Sequence, residues 1–151
     1  MTPQQHDAWQ RFCDETGHGG TPAYVGPFGD GPELADELLA LILDGRKQAT
    51  CALTAWYERQ NLPLPVPGDL SLILDGAGQP RCVIRTTRIL VAPFSSGDAA
   101  FAHAEGEGDG SLAWWRDAHI DYFSREGLRE GFTFTEDMPV VFEHFACIWT
   151  A

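Results

Sequence analysis

Apolar residues fall into two kinds of spacing along the chain, and the change from one to the other divides it into elements. Residues 4 to 16 carry Trp9, Phe12 and Cys13 at helical intervals, which predicts a short amphipathic helix. The stretch from Thr16 to Pro32 is rich in Gly and Pro and reads as loop, with Tyr24, Val25 and Phe28 turned onto the body. Leu34, Leu38, Leu41 and Ile42 form the stripe of a second helix. Asp30 and Glu33 stand at capping-box spacing before it, and Gly45 suits the left-handed residue that closes it.

Beyond Gly45 the period shortens to that of strands. Gln48 to Ala55 reads as one strand; Pro63, Pro65 and Pro67 then interrupt regular structure up to Gly68-Asp69. Leu70 to Leu74, the turn Asp75-Gly76-Ala77-Gly78 and Arg81 to Val91 predict a hairpin. A helical stretch follows near Asp98 to Ala104. Ser111 can cap another helix reaching about Arg125, with Gly127 and Gly131 ending it. Pro139 to Trp149 reads as a closing strand, with Val141, Glu143, Phe145 and Cys147 on one face. The sum is an α+β chain in which a small curled sheet is flanked by helices.

Charge narrows the partners. Ten Lys and Arg against 22 Asp and Glu leave a net charge of −12. Binding a polyanion draws its energy from neutralised phosphates, so a broad nucleic-acid surface is disfavoured and a small, weakly charged substrate fits better. Four cysteines without a Cys-x-x-Cys pair argue against structural zinc. Cys51, Cys82 and Cys147 sit among apolar or β-branched residues and read as buried, reduced thiols of a cytoplasmic protein. No apolar run has the ~20 residues of a membrane span, and the first residues lack the pattern of a secretory signal.

Three segments carry chemistry. Gly45-Arg46-Lys47-Gln48-Ala49-Thr50 joins a helix end to a strand. Desolvation lowers the basicity of a buried lysine, so Lys47 could deprotonate the Thr50 hydroxyl; equally, Arg46 and Lys47 read as cations favoured at a helix C-terminus. His103-Ala104-Glu105-Gly106-Glu107-Gly108-Asp109 alternates carboxylates with glycines. Glu105, Glu107 and Asp109 could hold Mg²⁺ or Mn²⁺, one could act as general acid or base, or the segment is a solvated acidic turn. Trp114-Trp115-Arg116 with His119 could stack on a base, or the two indoles belong to the core.

In this order these segments resemble the ASCH domain family of the PUA-like superfamily. The resemblance runs over about residues 24 to 149 and is carried by Phe28-Gly29-Asp30, Gly45 to Thr50, Gly68-Asp69, the Leu74–Pro80 hairpin, Phe101 to Leu112, Trp115-Arg116, His119 and the strand holding Phe145. It implies a PUA-like β-barrel, mixed, of about five to six strands, with flanking helices, and a division into an N-terminal helix and loop (1–23) and an ASCH domain (24–151). It also implies a cleft for RNA or a modified base. A smaller ASCH relative removes the acetyl group of N4-acetylcytidine with a lysine, a threonine and a glutamate, which fall here on Lys47, Thr50 and Glu107. Other members cleave single-stranded RNA with a divalent metal.

The resulting expectation is a hydrolase of an N-acylated nucleoside. Thr50 is the nucleophile, neutral Lys47 the base, and Glu107 orients Lys47 or passes a proton to the leaving amine. Arg46, Glu105, Trp115, Arg116 and His119 position the base, and no cofactor is required. The alternatives are a metal-assisted ribonuclease using Glu105, Glu107 and Asp109 with Mg²⁺ or Mn²⁺, and a non-catalytic module for RNA or nucleotides. The partner is a small nucleoside-like molecule or single-stranded RNA, not a membrane, and the oligomeric state stays open.

Overall fold

The computed structural model describes residues 1–151. Its elements are α1 (Pro3–Thr16), β1 (Tyr24–Gly26), α2 (Pro32–Leu43), β2 (Ala49–Leu53), α3 (Thr54–Arg59), β3 (Leu70–Leu74), β4 (Pro80–Pro93), a 3-10 turn (Phe94–Ser96), α4 (Ala99–Glu105), α5 (Leu112–Glu130) and β5 (Pro139–Thr150). The strands form one mixed sheet in the order β1-β3-β4-β5-β2. Only the β1–β3 pair is parallel. The sheet curls into a half-barrel and stays open, with β1 and β2 as its edges.

Both faces of the β3–β4 hairpin are covered, which explains the continuous apolar run of β3. Leu72, Leu74 and Val83 pack against Trp9 and Phe12 of α1. Ile73, Cys82 and Ile84 point the other way, toward Leu39 and Ile42 of α2 and Phe145. The third cluster seats α4 and α5 on the β2–β5 end, with Phe101, Trp115 and Phe123 against Leu53, Val140 and Phe142. Thr2 and Gln5 complete a reciprocal capping box on α1, and Asp98 and Ser111 cap α4 and α5.

Several local expectations change. The segment 16–32 contains strand β1, whose three residues pair with Ser71, Leu72 and Ile73; a strand that short exists only because β3 lies beside it. Helix α2 is not capped by Asp30. It starts at Gly31-Pro32 without a side-chain cap, because Asp30 Oδ2 accepts a 2.7 Å hydrogen bond from Arg125 Nη1 of α5. Helix α3 follows β2 directly, without a side-chain cap, and its six residues gave no periodic signal. Gly127 lies inside α5 rather than ending it. A Cβ there would come within 2.3 Å of the Phe132 carbonyl oxygen, so this glycine lets the chain fold back on the helix after Gly131. All four cysteines are free, but only Cys82 is buried; Cys51 is half-buried and Cys147 exposed.

Candidate functional site

The site is built where two loops meet. After α2 ends, the backbone N–H groups of Arg46 and Lys47 both donate to the Leu41 carbonyl at 3.0 Å, which turns the chain inward. Gln48 N then donates to the Ala104 carbonyl at 2.7 Å, docking this turn on the end of α4. Gly106 makes the approach possible: its φ is +67°, and a Cβ would lie 2.2 Å from the Arg46 carbonyl oxygen. Only glycine fits on both counts. The contact brings Glu105 and Glu107 up to Lys47.

Lys47 is 2% exposed. Its ammonium donates to Glu105 Oε1 at 2.9 Å, Glu107 Oε2 at 2.9 Å and the Ala49 carbonyl at 2.8 Å, which uses all three of its hydrogens. Glu105 is equally buried. Its other oxygen, Oε2, accepts from Trp115 Nε1 at 2.6 Å and lies 3.2 Å from His119 Nε2. His119 Nδ1 lies 2.8 Å from the Trp115 carbonyl, which can only accept. With a carbonyl facing one ring nitrogen and a carboxylate the other, His119 is stable as the imidazolium.

The charges follow from these contacts. Burial pulls Lys47 down, but the Glu105 and Glu107 carboxylates outweigh it and hold the ammonium above its ordinary value. Burial likewise opposes ionisation of Glu105, and Lys47 and His119 reverse it, keeping that carboxyl well below the usual range. Burial would lower His119; Glu105 instead raises it well above its ordinary value. Glu107 moves up, because desolvation and its neighbour Glu105 outweigh the attraction of Lys47. The reading of Lys47 as a group stripped of charge by burial therefore reverses: it is a fixed cation, and Glu107 is the group closer to taking a proton.

A cavity of about 470 Å³ opens beside this cluster. Lys47, Thr50, Glu105, Glu107 and His119 all line it, with aromatic walls from Tyr24, Trp56, Tyr57, Trp114 and Tyr122. Thr50 is half-buried on edge strand β2, directly opposite Glu143 on β5. The other expected residues lie elsewhere. Trp115 is 1% exposed and fixes Glu105 from within the core, while Trp114, one position away and so about 100° around the helix, lines the cavity. Arg46 is exposed and absent from the cavity wall. Arg116 points away, paired with Glu136 and placed over the Phe94 ring. Asp109 is exposed and accepts from Ser111 N at 2.8 Å, so it does not join Glu105 and Glu107.

A different set of metal-type donors does converge: Cys51, Glu105 and His119 present ligand atoms within 4.8 Å of one another. Glu105, however, already receives Lys47, Trp115 and His119, two of them cationic. Burial and the Glu105 charge push the Cys51 thiol up to about 12, away from the thiolate a metal takes.

Sequence reasoning gave no role to Trp56, Tyr57 or Cys51. It placed Glu143 on a strand face without a function, although a lone carboxylate in the run Val140–Ile148 was a usable signal.

Comparison with known proteins agrees with this architecture. The family model of the ASCH domain matches residues 24–149. Among solved structures, an ASCH domain from Lactobacillus crispatus JV V101 superposes with a TM-score of 0.88 at 32% identity, covering 99% of this chain and 96% of that one. A protein from Enterococcus faecalis V583 superposes with a TM-score of 0.90 at 32% identity, covering 99% of this chain and 91% of that one. No curated protein compared with the chain matches it.

Proposed function

Since the chain belongs to the ASCH domain family, whose PUA-like fold is generally associated with RNA binding, we propose that its cavity takes a modified nucleobase or nucleoside and hydrolyses an N-acyl amide on it. The observation that supports this reading is that Lys47, Thr50 and Glu107 all line the same cavity, with Lys47 Nζ 2.9 Å from Glu107 Oε2. An aromatic-walled space of about 470 Å³ suits a planar base with a sugar.

In the proposed reaction the Thr50 oxygen attacks the acyl carbonyl carbon and its proton passes to the Glu107 carboxylate. Lys47, held as the ammonium by Glu105 and Ala49, keeps Glu107 in register and adds positive charge beside the tetrahedral oxyanion. Collapse breaks the C–N bond, and the proton moves from Glu107 to the leaving amine. Water then cleaves the Thr50 ester, with Glu107 again accepting and returning the proton. Glu105, Trp115 and His119 act one step back by fixing Lys47. No cofactor enters the scheme.

The test is turnover of N4-acetylcytidine by the wild-type protein, Thr50→Ala and Glu107→Gln. Release of acetate by the wild type and its loss in both variants supports the reading; equal turnover by all three removes it. The family's general association with RNA binding favours a second reading, a non-catalytic single-strand RNA module. A steep salt dependence of RNA binding without turnover would select that reading. A metal-assisted ribonuclease built on Glu105, Glu107 and Asp109 has less support, since Asp109 stands apart and Lys47 already occupies the two glutamates.

A further inference from the structure

The cavity holds a second buried carboxylate that this mechanism does not use. Glu143 is 8% exposed. Its Oε2 accepts a 2.6 Å hydrogen bond from Thr86 Oγ1, its sole side-chain partner. No buried side-chain oxygen lacks a hydrogen bond, so the free Oε1 is open to the cavity that Glu143 lines. No cation stands near. The charge that reaches Glu143 is that of Asp69, another carboxylate on the same wall, and the other neighbours there, Thr50, Tyr57 and Ser71, are hydroxyls. A buried carboxylate normally comes with a cation or several donors, because desolvating it otherwise costs several kcal/mol. Here the protein supplies one donor and leaves the other oxygen facing the space for a ligand.

We infer that Glu143, held in place by Thr86, is a specificity-determining residue that accepts a hydrogen bond from an N–H group of the substrate. Its position fixes which one. Glu143 and Thr50 are register partners on β5 and β2, so their side chains project from the same face of the sheet. A carbonyl carbon held against Thr50 brings the amide N–H of the same acyl group toward Glu143. The substrate is therefore a secondary amide, with one hydrogen on the nitrogen to be released.

This inference rests on the nucleoside reading of the cavity but not on turnover, and calorimetry separates the two. Binding is measured with N4-acetylcytidine and N4-acetyl-N4-methylcytidine, using Thr50→Ala protein so that nothing is consumed. The N–H ligand should bind about ten- to a hundredfold tighter than its N-methyl analogue. The preference should fall to about threefold or less when Glu143→Met is added. Thr86→Val, which frees the Glu143 side chain while keeping the strand, should reduce it in the same direction; it carries the test if Glu143→Met does not fold. A brace between strands would leave the ratio unchanged, and an unchanged ratio overturns the inference. Selective binding without wild-type turnover keeps Glu143 as reader and removes the hydrolase. Turnover with no loss of selectivity in the variants does the reverse. No binding of either ligand overturns both.

Discussion

Two carboxylate sites on the cavity use the same residue type under opposite conditions. At one site Glu105 and Glu107 meet a lysine, and Glu105 also meets an indole N–H and an imidazolium. At the other, Glu143 meets one hydroxyl and has Asp69 as its charged neighbour. Burial penalises a carboxylate at both. Opposing charges outweigh it for Glu105 alone, which Lys47 and His119 hold low, while Glu107 and Glu143 are both held high. A saturated cluster of this kind is finished when the chain folds and can position other groups. A carboxylate short of donors is finished only when something binds.

The contrast is open to direct attack. The largest effect belongs to Lys47. Lys47→Met strands Glu105 and Glu107 in the interior and should cost about 3–5 kcal/mol of unfolding free energy by urea titration, with turnover lost. Glu107→Gln keeps the shape and one acceptor; it should lower kcat by about 10²–10⁴. Its urea midpoint should shift far less than that of Lys47→Met. Glu143→Met, at the other site, should change stability by no more than about 1 kcal/mol, because the buried charge it removes offsets the hydrogen bond lost by Thr86. A loss as large as that of Lys47→Met would erase the distinction between the two sites.

Glu105 and Glu143 respond to pH with opposite sign. Glu105 has a depressed folded value, so its contribution is present above the ordinary 4.5 and lost as pH falls through the lower folded value. His119 has a raised value, so its contribution is full below the ordinary 6.5 and lost as pH rises through the higher folded value. Glu143 is raised too, so folding favours its neutral form and stability falls as pH climbs from 4.5 through its folded value. Unfolding midpoints across pH should show His119→Gln flattening a decline that begins above 6.5 and Glu143→Met removing one that begins above 4.5. The smallest effect is expected at the exposed Arg125–Asp30 pair, where Asp30→Asn should cost less than about 1 kcal/mol.

Much of the fold was legible because it is written locally. The β3–β4 hairpin follows from Asp-Gly between two apolar runs, and the cap of α5 follows from Ser111. What failed locally was decided by neighbours: β1 exists because β3 offers an edge, and Asp30 was drawn from its helix by Arg125. At the site, the residue types and the resemblance singled out Lys47, Thr50 and Glu107, which do line one cavity. The neighbours Trp114 and Trp115 could not be separated in one dimension, since which of them faces the cavity depends on the rotation of α5 against the sheet.

By itself the sequence determined the family, the order of most elements and the residues able to do chemistry, because these depend on side-chain identity and on spacing along a single element. The tertiary structure alone decided their charges. Lys47 was expected to lose its proton on burial; two carboxylates 58 and 60 residues away prevent that. A Coulomb interaction depends on distance in space and on the water left between the charges, and neither is set until the two loops close around Gly106.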